Sequence, residues 1–125
     1  MTSVKYDPTE GRKFDGGKTE YGLLPPYILE EIAKVLTFGA SKYERENWRY
    51  VDEGKRRYFD ALQRHIWAWK RGETYDPESG LHHLAHAGCC LMFLGELDIL
   101  DLQKTLANPE QLSYNDYINS KHGAI

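Results

Sequence analysis

Apolar residues recur along the chain in three blocks, separated by polar stretches rich in glycine and proline. In the first block Ile28, Ile32, Val35 and Leu36 fall at helical spacing, Phe38 continues the stripe, and Pro26 suits a first helical turn. The spacing predicts a helix from Pro26 to about Tyr43, ended or bent at Gly39. In the second block Phe59, Leu62, Ile66 and Trp69 predict a helix from about Lys55 to Arg71 with these four as its buried stripe. Gly72 stops it, and Asp60 and Arg64 are placed to pair on its surface. The third block predicts a helix from Ser79 or Leu81 to about Leu102, with Ser79 as N-cap and Leu84, Leu91 and Leu94 on one face. No stretch alternates as a strand would, so the expected class is all-α: a compact helical bundle.

The remaining segments fill in the outline. Residues 1–26, rich in Gly, Lys and Asp, predict an irregular arm packed over the body, and residues 44–55 a loop. The tail, 103–125, is polar and predicts a short helix near 109–119 or an oligomer arm. At 125 residues the chain reads as one domain with its body at about 6–102. No internal repeat is present. The start lacks an apolar run, and no window approaches the ~18 apolar residues of a membrane span, so no membrane partner is expected.

Charge and cysteines narrow the function classes. A formal net charge of -3 gives no global basic field, which argues against a nucleic-acid polymer as partner. Small anionic ligands need only a few local bases. Cys89 and Cys90 are adjacent, where a disulfide would be strained, and read as reduced core residues of a cytoplasmic protein.

The chemistry gathers around "SGLHHLAHAGC". His83, His86 and Cys90 share one helical face, while His82 points elsewhere. The acidic loop "GETYDPE" just before supplies Glu73 and Asp76. Imidazoles beside carboxylates suit a divalent cation, and the alternative is that His83 and His86 brace the acidic loop by hydrogen bonds. On the first helix Glu31, next to Ile32 and Val35, is the better inward carboxylate than Glu30. "GASKYERENW" joins Lys42 to Tyr43, Asn47 and Trp48, an aromatic and amide set that can stack and read a nucleobase. "GRKFDGGKT" is not a phosphate loop, because Arg12 stands where the first glycine belongs, but Lys18 in its Gly-flanked turn remains a phosphate candidate. Lys42 and Arg64 are the others.

The order "GGK…LLPP…LEEIAKVLTFGASKY…NW…ALQRHIWAW…GETYDPESGLHHLAHAGCCLMFL" resembles the phage dATP/dGTP diphosphohydrolase N-terminal domain family, itself grouped with the MazG-like all-α nucleotide pyrophosphohydrolases. The likeness covers about residues 6–97. It implies hydrolysis of a purine deoxynucleoside triphosphate (dGTP, dATP or both) to the monophosphate and pyrophosphate with Mg²⁺ or Mn²⁺. It also implies a bundle working as a homo-oligomer, a dimer or tetramer. The wider MazG pattern has an E-E-x-x-E helix and a later E-x-x-D helix; here Lys34 replaces the third carboxylate, and the later motif falls at His83 and His86. The expected metal set is therefore Glu31, Glu73 and Asp76 with His83 and His86 ligating or orienting. His65 is expected as an orienter or proton carrier. Two rival readings are a metal phosphohydrolase that releases triphosphate, and a non-catalytic nucleotide- or protein-binding module.

Overall fold

The computed structural model describes residues 8–107. Three α-helices make the body: α1 (Pro26–Lys42), α2 (Gly54–Lys70) and α3 (His83–Ala107). Among the described residues there is no strand, only an isolated bridge between Tyr75 and His82. The class is all-α, as the apolar spacing predicts. α1 and α2 both pack against α3. α2 and α3 run antiparallel, since Gly54 at the start of α2 lies against Leu97 while His65 near its end meets His83.

Helix limits follow local chemistry. Pro26 opens α1, and Tyr43 N–H closes it onto the Gly39 carbonyl, so the helix runs through Gly39. α2 ends before Gly72, whose φ of 105° lies in the left-handed region that favours glycine. Two 3-10 turns, Tyr21–Leu23 and Asn47–Tyr50, interrupt segments expected to be irregular.

The core is built from small side chains. Ile32 and Val35 of α1 meet Ala85 and Cys89 of α3, with Ile28, Leu36, Leu81 and Phe93 around them. Gly88 permits this approach: a Cβ there would lie 2.8 Å from Ile32 Cδ1. Cys89 and Cys90 are buried free thiols, as expected of reduced core residues. Burial pushes Cys89 up to about 12 and Cys90 up to about 11, so both stay protonated at neutral pH.

Several expectations are corrected. The α2 stripe is not fully buried: Phe59 is 52% and Trp69 42% exposed, because α3 lies against the Tyr58 and His65 side of the helix instead. Leu91 is 60% exposed, and the residues α3 buries are His83, Ala85, Ala87, Cys89 and Cys90. α3 starts at His83, not at Ser79 or Leu81, and continues to Ala107 past Leu102. Ser79 therefore does not cap it; its hydroxyl serves the loop. Arg56, not Arg64, approaches Asp60, at 3.8 Å. The described part of the N-terminal arm, residues 8–25, is exposed and not packed over the body. α3 is long and apolar enough to cross a membrane by length and mean hydropathy, a test that helices packed in a protein core also pass. The short helix expected near 109–119 lies outside the described residues.

Candidate functional site

The loop between α2 and α3 carries the site, and its backbone is pinned at both ends. Glu73 N–H donates to Ala68 O, and His83 N–H donates to Thr74 O. Asp76 is the pivot between them. Its N–H donates to Leu81 O at 2.8 Å, and its carbonyl accepts from Gly80 N–H at 2.8 Å. Its Oδ1 accepts from the N–H groups of Glu78 and Ser79, at 3.0 and 2.9 Å. Such Asx bonding is what Asp offers a turn. Gly80, at a φ of 71°, completes the bend.

Three histidines from two helices meet this loop. His83, only 3% exposed, uses both ring nitrogens. Its Nε2 lies 2.6 Å from Glu73 Oε1, and its Nδ1 lies 2.9 Å from His65 Nδ1. His65 stacks on His86 at 4.5 Å, with the rings 10° from parallel. His86 Nε2 lies 2.6 Å from Ser79 Oγ, which also accepts from Leu81 N–H. In the neutral tautomers Glu73 holds the proton on His83 Nε2, leaving Nδ1 to accept from His65.

Burial sets the charge states. His65 is pushed down to about 4, first by burial, then by the neighbouring His86 and His83; Asp76 opposes and Arg64 adds a small push. His86 is lowered too, mainly by burial, against the pull of Asp76. For Asp76 burial pushes upward, but the Ser79 N–H, the nearby His86, the Ser79 hydroxyl and the Glu78 N–H outweigh it and hold the carboxyl below its ordinary value. His65 and His86 thus bind protons less readily folded than unfolded. Stability is full above the ordinary histidine value of 6.5, falls as the pH drops below it, and levels off for His65 near 4. Because both rings are only half-buried, the loss between pH 7 and 4.5 is expected to be on the order of 1–2 kcal/mol. Urea unfolding of the metal-free chain at the two pH values checks this; equal midpoints would refute it.

One ligand atom each from His65, Asp76 and His83 lie within 4.8 Å of one another. This set fits a divalent cation on two grounds. Adjacent ligands around a six-coordinate ion with bonds of ~2.1 Å are about 3 Å apart, close to the separation of the two Nδ1 atoms. Glu73 on the far nitrogen of His83 is the carboxylate that metal-binding histidines characteristically carry. Glu73→Ala is expected to weaken Mn²⁺ binding roughly 10- to 100-fold by calorimetry. Unchanged affinity would remove Glu73 from that role.

The remaining sequence candidates divide into two groups. Lys42, Tyr43, Asn47, Trp48, Arg64, His65, Asp76 and His86 line one cavity of about 960 Å³. Lys42 is ion-paired with Glu78 across it. Trp48 stacks on Phe93 at 4.6 Å and carries the Arg49 guanidinium over its ring at 4.5 Å, so both its faces are covered. Tyr43 is 58% exposed. Glu31 and Lys18 are not brought to the cavity. Glu31 accepts from Lys34 at 2.9 Å, and Lys18 sits in the turn of the N-terminal arm. His65 was expected here as an orienter or proton carrier, but its place within ligand distance of Asp76 and His83, and the stacking place of His86, were missed because the helical face of α3 alone does not say what α2 presents to it. Arg57, Arg45 and Glu78 also line the cavity and were not singled out from sequence.

A helical hairpin with an imidazole–carboxylate cluster beside a cavity lined by both basic and acidic side chains is a candidate site for a small polar ligand. The comparisons narrow the class. The family described as "dATP/dGTP diphosphohydrolase, N-terminal" matches residues 8–106, and the chain belongs to this family. A "dATP/dGTP diphosphohydrolase" of Salmonella phage PMBT28 is 43% identical over 84 residues, which are 67% of this chain and 28% of that protein. The chain thus spans less than a third of the relative it matches. No solved structure matches.

Proposed function

We propose that this chain hydrolyses a purine deoxynucleoside triphosphate, dGTP, dATP or both, to the monophosphate and pyrophosphate with Mg²⁺ or Mn²⁺. The observation that carries the reading is the convergence of His65, Asp76 and the buried His83, the first two of which line a cavity that also holds Lys42 and Arg64. Family membership and the name of the phage relative support the substrate class.

The residues divide the work. His65 Nδ1, His83 Nδ1 and an Asp76 oxygen would hold the cation, which supplies positive charge against the phosphates when bound. Glu73 orients His83. Arg64 offers a planar fork to phosphate oxygens, and Lys42 offers a point charge once it leaves Glu78. Water adds to the α-phosphorus, the bond to the α–β bridging oxygen breaks, and pyrophosphate departs. The water's proton goes to His86. With Ser79 Oγ accepting from Nε2, Nδ1 keeps its lone pair, and the lowered pKa keeps the ring neutral at pH 7. Tyr43 and Asn47 meet the base, while Trp48, covered on both faces, takes a base only by giving up Arg49. A homo-oligomer in the cytoplasm is the setting we propose, with the exposed Phe59, Trp69 and Leu91 available to a second copy.

The make-up of the cluster, two imidazoles and one carboxylate, favours a second reading in which intact triphosphate is released. Product analysis decides. The chain is incubated with each dNTP and Mg²⁺ or Mn²⁺, and products are resolved by chromatography. Pyrophosphate from a purine dNTP is the expected result. Triphosphate with a nucleoside would support the second reading, and no turnover with any dNTP would leave a binding module.

A further inference from the structure

We propose that Arg57 and Arg64 form a two-point anchor for the phosphate chain, with Arg57 holding the phosphates beyond the one that reacts. The proposal deepens the nucleotide reading above and rests on it. Both arginines line the cavity. They are seven residues apart on α2, two turns along one face, or about 10 Å along the axis.

Neither has a carboxylate partner among the described residues, unlike the basic residues at the start of α2 beside Arg57. In the first turn of α2, Lys55 is paired with Asp98 and Asp101, and Arg56 with Glu53. Arg57, the next residue, meets only the Asp52 carbonyl, at 3.5 Å. The Arg64 guanidinium has no ion pair or hydrogen bond among the described residues. Of the four acids that line the cavity, Glu78 is held by Lys42, Glu46 lies 3.6 Å from Arg49 and Asp76 accepts from the loop N–H groups, and among the described residues none of them, Glu44 included, is ion-paired with Arg57 or Arg64. In a chain of formal net charge -3, two such guanidiniums on one concave wall mark a place for an anion. Arginine is the side chain whose planar fork fits phosphate oxygens in pairs.

Position along α2 assigns the phosphates. Arg64 adjoins His65, so it stands beside the cluster where the reacting phosphorus must lie. Arg57 is two turns away and reaches the phosphates beyond it.

The test is calorimetric binding of inorganic tripolyphosphate and of dAMP to the whole chain without added metal, with folding checked by circular dichroism. Arg57→Gln and Arg64→Gln are each expected to weaken tripolyphosphate roughly 10-fold. Arg56→Gln, with its side chain paired outside the cavity, should leave it within about 2-fold. Arg57→Gln should leave dAMP unchanged. Equal tripolyphosphate affinity in folded Arg57→Gln and Arg56→Gln would overturn the anchor, as would wild-type chain that binds no tripolyphosphate. A loss of dAMP binding equal to that of tripolyphosphate would overturn the assignment to distal phosphates. Selective loss in a chain that turns over no dNTP would sustain the anchor and remove the hydrolytic reading instead.

Discussion

His83→Ala is expected to abolish measurable Mn²⁺ binding and to reduce turnover of a purine dNTP by at least ~1,000-fold. The same substitution should cost about 2–3 kcal/mol of stability. Both effects come from one side chain that is 3% exposed and engaged at both nitrogens. Alanine removes a cation ligand, releases Glu73 from the cluster and leaves a cavity where an imidazole stood. Without His83 the donor set falls from three to two, His65 and Asp76. Urea unfolding measures the stability term, and calorimetry with Mn²⁺ measures the binding term on protein shown to be folded. A folded variant that binds Mn²⁺ as tightly as the parent would sink the assignment of His83. Full turnover with weakened binding would instead place the chemistry elsewhere in the cavity.

Gly88→Val should cost about 2–3 kcal/mol of stability. A Cβ at Gly88 would lie 2.8 Å from Ile32 Cδ1 and 3.2 Å from Ile32 Cγ1, and Ile32 is itself a core residue. Valine adds two methyl groups to that Cβ, which would separate α1 from α3. Gly88→Ala is a useful companion. Its gain in helix propensity, up to ~1 kcal/mol, offsets a clash that the end of Ile32 can partly relieve. Thermal unfolding of both variants separates packing from propensity. A Gly88→Val midpoint equal to the parent's would mean that α1 does not need this close approach.

Much of the architecture was legible from periodicity. The three helices follow the three apolar blocks, and Pro26 and Gly72 mark boundaries that the backbone respects. The start of α3 was misplaced because Ser79 has two uses for one hydroxyl. It could cap a helix, but here it accepts from Leu81 N–H and meets His86, so the chain bends at Leu81 and bridges to Tyr75 at His82 before winding. Periodicity also overstated the burial of Phe59 and Trp69. Hydrophobic spacing identifies an apolar face without saying whether another helix covers it. The site was half-legible. Glu73, Asp76, His83 and His86 are neighbours in sequence and fell under one reading. His65, expected only as an orienter or proton carrier, comes within ligand distance of them because α2 runs antiparallel to α3, a tertiary fact with no local signal. Glu31 was drawn in as the carboxylate beside Ile32 and Val35 and then through the resemblance to a carboxylate-rich motif, and Lys34, the residue that breaks that motif, is its partner.

The pinned loop from Glu73 to His82 bears on when the site becomes ordered. Fixing a residue's backbone costs about 1–2 kcal/mol in conformational entropy, and a free loop would incur that cost each time a ligand arrived. Here Asp76, Ser79 and the two helix ends fix the loop within the folded chain itself. The ordering entropy therefore falls on the folding reaction, and ligand capture begins from a rigid receptor. Association then requires no loop search, and the amides of Asp76, Gly80 and His83 should already be protected from hydrogen exchange in the free chain.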